Sequence, residues 1–80
     1  MSYNGWSNRA TWNVSLWINN EEPLYREAVD FMEGYEGRQP YLEFIEALGL
    51  EKSFTGDGIH WLDMSLDHDE LNRMMWELVE

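Results

Sequence analysis

A chain of 80 residues with no cysteine has to hold itself together by side-chain packing, because disulfides and thiolate metal sites are closed to it. A domain this short buries only about 60–65% of its unfolded surface, so its stability is narrow without a staple. Aromatic bulk is the available substitute. Five Trp, four Tyr and three Phe are present, and each ring can bury roughly 150–250 Å². One core is all the length allows, so residues 1–80 are expected to form a single domain.

Charge is the next constraint. Sixteen acids face five bases, a formal net charge of −11, and ten of those acids but only two of the bases fall in residues 41–80. Such a surface repels nucleic-acid backbones and anionic lipid, and it attracts basic protein surfaces. No basic start with a following apolar run opens the sequence, and no apolar stretch approaches the roughly 20 residues that span a bilayer. The expected location is therefore the cytoplasm, with no membrane partner.

The periodicity predicts a mainly α fold, a small bundle of about four helices. The first helix is expected from Asn8 to about Asn19, capped by Ser7. Its alternation of Trp12, Val14, Leu16 and Ile18 leaves a strand over 12–18 as the alternative, which would make the class α+β. A second helix is expected after a cap at Asn20, with Glu21 and Glu22 at its positive end and Pro23 in its first turn. Leu24, Ala28, Phe31 and Tyr35 form its stripe, Glu22–Arg26 and Arg26–Asp30 are possible ion pairs, and Gly34 and Gly37 close it. Pro40 opens a third helix with Tyr41, Phe44, Ile45 and Leu48 inward. Gly49 stands at its left-handed cap and Leu50 packs back onto it. Thr55-Gly56-Asp57-Gly58, between Phe54 and Ile59, predicts a short β-hairpin or loop at about 53–62. Asp67 and Glu70 have the spacing of a capping box for the last helix, whose stripe is Leu71, Met74, Met75 and Leu78. Trp76 falls off that stripe, so it is either covered by another segment or free for contact.

Catalytic chemistry has few candidates. None of Ser2, Ser7, Ser15, Ser53, Ser65, Thr11 or Thr55 stands in a nucleophile elbow. His60 and His68 have no second histidine at ligand spacing. A calcium loop counted from Asp67 places Asn72 at its glycine position and Leu78 at its bidentate position, so it fails. Gly56 and Gly58 lack the lysine and helix of a phosphate loop. The expectation is a protein that is not an enzyme and that uses no cofactor and no metal.

The run Asn8-Arg9-Ala10-Thr11-Trp12-Asn13-Val14-Ser15-Leu16-Trp17-Ile18, with Leu24-Tyr25 after it, resembles a small uncharacterised family encoded largely by bacteriophages and their hosts. Asp57-Gly58-Ile59-His60-Trp61 and the stretch from Leu66 to Leu78 are similar to the family's later segments. The resemblance implies a phage setting, hence the host cell cytoplasm, and no particular activity. Together with the charge it points to an accessory protein that binds and modulates a host or phage protein. In the sharper form, Glu43, Glu46, Asp67, Asp69, Glu70, Glu77 and Glu80, with Trp76 beside them, imitate a phosphate row and occupy a basic nucleic-acid groove. Two alternatives stand. One is a homo-oligomeric module, a homodimer through Met75 and Trp76 being the simplest. The other is a binder of single-stranded nucleic acid built on Arg9, Trp6, Trp12 and Trp17, which the net charge weighs against.

Overall fold

The computed structural model describes residues 3–80, and Ser2 lies outside them. Among the described residues four helices in sequence make up the fold: α1 (Arg9–Asn20), α2 (Glu22–Met32), α3 (Pro40–Ala47) and α4 (His68–Glu77). α1 packs on α2 and α4, α4 packs on α3, and α2 closes the bundle against both α3 and α4. This is the mainly α bundle that the periodicity predicts. Residues 12–18 lie wholly inside α1, so the α+β alternative is set aside.

α1 starts one residue later than Ser7 would have it. Asn8 is the cap, its Oδ1 accepting from the Thr11 N–H at 2.8 Å. Both residues are good caps, and tertiary contacts decide between them. The Ser7 hydroxyl donates to Asp67 Oδ2 and its N–H donates to Glu70 Oε1, both at 2.9 Å. The buried stripe of α1 is Thr11, Val14, Ser15 and Ile18, at i, i+3, i+4 and i+7, whereas Trp12 and Leu16 sit half-buried on its flank. Small hydroxyl residues thus hold two of the four inward positions. Their desolvation is offset there, because each is bonded: Ser15 Oγ donates to the Trp12 carbonyl and Thr11 Oγ1 accepts from Asp67 N–H.

Glu21 both ends α1, through its N–H to the Trp17 carbonyl, and opens α2 without a side-chain cap. Asn20 is therefore the last residue of α1, not the cap of α2. Pro23 and Glu22 occupy the first turn as predicted, and Glu22–Arg26 is an ion pair. Arg26–Asp30 is not among the ion pairs of the described residues. α2 stops at Met32, before Gly34 with φ 79°, so Tyr35 belongs to the following turn. α3 ends as predicted: Gly49 has φ 71°, its N–H donates to Glu46, and Leu50 N–H donates to Ile45. These are the two bonds of a Schellman cap.

Residues 53–61 form a closed loop with one isolated bridge, Phe54 to His60, and no strand. Asp67 caps α4 by accepting from Glu70 N–H at 3.0 Å. The reciprocal half of the capping box is exchanged for tertiary partners, since the Glu70 carboxylate turns to Ser7 and the Asp67 N–H to Thr11. Aliphatic and methionine side chains fill most of the core, with Val14, Ile18, Met32, Ile45, Leu71 and Met75 almost fully buried. Of the twelve rings only Tyr41, Phe44 and Trp61 are buried there, and Trp6, Trp17, Phe31 and Tyr35 pack around the edge. Methionine adapts to irregular gaps that rigid rings leave.

Candidate functional site

The residues singled out by charge divide into two groups. Glu43, Asp67 and Glu70 already serve the fold. Glu43 Oε2 accepts from the Tyr35 hydroxyl at 2.6 Å, and Asp67 and Glu70 join α4 to the Ser7 segment. The Glu70 N–H bond, then the Ser7 hydroxyl, hold the Asp67 carboxyl below the usual carboxylate range. Glu46, Asp69, Glu77 and Glu80 are exposed and have no hydrogen-bond or ion-pair partner for their carboxylates among the described residues. Met75 is fully buried and is not available for the self-contact expected of it.

Two segments far apart in sequence meet where sequence reasoning placed nothing. Asn13, 1% exposed on α1, donates from Nδ2 to Asp57 Oδ2 at 2.7 Å and accepts at Oδ1 from the Thr55 hydroxyl at 2.8 Å. Trp17 Nε1 donates to the same Asp57 oxygen at 3.0 Å. Thr55 Oγ1 also accepts from the Asp57 and Ile59 N–H groups, which folds the loop around it. The bond from Asn13, then that from Trp17, depress the Asp57 carboxyl. The tryptophan and asparagine of the N-terminal motif therefore seat the Asp57-Gly58 segment, a structural task. The available signal was Asn13, a polar residue with no evident partner in an apolar helix.

An open groove lies between α2 and α4. It has a volume of about 650 Å³ and runs between the end of α2, the 33–35 turn and the end of α4. Val29, Met32, Tyr35, Trp76 and Val79 line it, with Glu33 and Glu80 also in its wall. A smaller hollow of about 270 Å³ continues it past Val29 and Leu78 to Tyr25, Arg26 and Asp30. Trp76 is 38% exposed and leans on Tyr35, ring centroids 5.4 Å apart. Tyr35 is itself fixed, since its hydroxyl donates to Glu43 and accepts from Gln39 N–H. Partial burial, then the Glu43 bond, raise its phenol above the ordinary value.

The electrostatics of this groove are one-sided. Residues from the C-terminal ends of two helices line it, and each helix end carries the equivalent of roughly half a negative charge. Neither α2 nor α4 has a basic residue in its last turn to offset that. Glu33 and Glu80 add to the same sign. An aromatic ledge over an apolar floor, ringed by negative charge, is suited to a cation that brings apolar surface with it.

Among the described residues no helix is long and apolar enough to cross a membrane. No curated protein and no solved structure matches the chain. The family described as "Family of unknown function (DUF7249)" matches residues 1–80, so the chain belongs to it.

Proposed function

We propose that this DUF7249 chain is a non-catalytic accessory module that binds a basic protein and modulates it. The phage setting rests on the resemblance of its N-terminal motif to phage-encoded proteins, and the partner is then a host or phage protein in the host cytoplasm. One observation carries the binding reading. Against a formal charge of −11, a single ion pair, Glu22–Arg26, is present among the described residues. Carboxylates that the fold leaves unbonded, Glu46, Asp69, Glu77 and Glu80 among them, face outward, and a partner with basic residues gains by covering them.

The sharper form, imitation of a phosphate row, draws on Glu46, Asp69, Glu77 and Glu80, since Glu43, Asp67 and Glu70 are tied into the fold. A homo-oligomer is the weaker alternative: Met75 is buried, and two copies would bring −11 each to one interface. The single-stranded nucleic-acid reading loses two of its rings, because Trp12 packs on Tyr3 at 4.9 Å and Trp17 is held by Asp57.

Affinity capture from host lysate tests the proposal, comparing the natural chain with one carrying Glu46→Gln, Asp69→Asn, Glu77→Gln and Glu80→Gln. The expected result is a specific basic protein retained at low salt, released as salt rises, and lost with the neutralised chain. Release by added duplex DNA supports mimicry in particular. Retention that ignores both salt and neutralisation refutes the proposal.

A further inference from the structure

We infer that the groove between α2 and α4 receives a basic amphipathic helix of the partner. An arginine of that helix lies on Trp76 between Glu33 and Glu80, and its apolar residues cover Val29, Met32 and Val79. This deepens the binding reading above and rests on it. The choice of occupant follows from charge complementarity. Two helix ends with no basic residue in their last turns, Glu33 and Glu80 give the groove beside Trp76 one sign, and Arg26 in the adjoining hollow is already paired with Glu22. A second copy of this chain would bring the same sign and a charge of −11, so it is the wrong occupant.

Arginine suits the ledge better than lysine. Its planar guanidinium stacks on an indole face while its N–H fork reaches carboxylates on either side. The ring is pre-set for this, because Tyr35 backs Trp76 and is anchored through Glu43 and Gln39. The apolar requirement comes from the floor. Trp76 and Val79 in the groove and Tyr25 in the adjoining hollow are each 38–39% exposed, and the half-buried Val29 and Leu78 line both. Binding in a groove between helices is the mode of an amphipathic helix, read through anchors at i, i+3, i+4 and i+7. Strand addition has no starting point here, since the described residues contain no sheet edge.

The test uses the full chain, labelled with ¹⁵N, and a synthetic helical peptide with Leu at i, i+3 and i+7 and Arg at i+4. A matched peptide carries Gln in place of the Arg. Expected are shifts of the Trp76 indole N–H and of the Val29, Glu33 and Val79 amides, with affinity for the Gln peptide at least about tenfold weaker. Val79→Arg, at an exposed position beyond α4, should weaken the Arg peptide by a similar factor. Paired Glu33→Gln and Glu80→Gln should do the same without disturbing the fold seen by circular dichroism.

Arg-peptide binding that survives Val79→Arg and shifts Glu46 and Asp69 instead overturns the groove assignment and leaves the acidic-surface reading intact. Equal affinity for the two peptides overturns the arginine. No binding at low salt overturns the groove as well, and the lysate capture judges the broader reading independently. The same shifts on adding unlabelled chain would make the occupant a second copy and end the proposal.

Discussion

Replacing Thr55 by Val keeps the shape of a residue that is 5% exposed and deletes its hydroxyl. That oxygen donates to Asn13 Oδ1 at 2.8 Å and accepts from the Asp57 and Ile59 N–H groups at 3.3 and 3.2 Å. Asn13 Oδ1 would then be buried without a donor, at a cost of about 1–3 kcal/mol. The two longer bonds add roughly 0.5 kcal/mol each, so the total is about 2–4 kcal/mol. A domain of this length has only on the order of 4–12 kcal/mol in all. The melting temperature should therefore fall by roughly 8–32 °C. Urea unfolding followed by circular dichroism measures the same loss as a lower midpoint at unchanged slope. Thr55→Ser, which keeps the oxygen, should cost about 1 kcal/mol or less, the removed methyl being its main loss. A Thr55→Val chain within about 0.5 kcal/mol of the natural one, or no milder effect from Ser, would refute the claim that this hydroxyl organises the loop.

Three further outcomes follow from the same geometry. Gly56→Ala places a Cβ 2.4 Å from two ring atoms of Trp17; the loop must lift off the indole, at about 1–3 kcal/mol by thermal melting. Tyr41→Phe removes the buried bond from the phenol to the Trp61 carbonyl and should cost about 1–3 kcal/mol in urea, leaving a buried acceptor without its donor. Asp57, Asp63 and Asp67 all titrate below the ordinary 3.8 in the folded chain. Their contribution is thus complete above that value and lost as pH falls through the lower folded values, because the unfolded chain takes up protons first. Asp57→Asn should flatten the fall of stability below pH 3.8, measured by urea midpoints across an acid series.

Local chemistry made most of the helices legible. Pro40 and Gly49 bound α3 where they should, and Asp67 announces α4, since each acts within a few residues of itself. Distant partners explain most of the departures. Ser7 gives up its capping role to Asn8 because Asp67 and Glu70, some sixty positions on, claim it. Tyr35 continues the period of α2 after the helix has stopped, as periodicity does not register the turn at Gly34. The position of Trp76 off the stripe of α4 agrees with its partial exposure, yet nothing in sequence spacing placed Tyr35 and Val29 beside it. Likewise an acid count does not tell a carboxylate engaged in bonding, such as Glu43, from an unengaged one, such as Glu46. The two differ only in what stands opposite them.

The Ser7 clasp has a kinetic corollary. Its two bonds and the one from Asp67 N–H to Thr11 bind the start of α4 to the strip that leads into α1. Fraying at either place exposes donors and acceptors belonging to the other. Amide protons of residues 7–11 and 67–71 should accordingly exchange with solvent at matched rates, as one opening unit. Severing the backbone just ahead of Asn8 would loosen a helix that lies nearly a whole chain-length away.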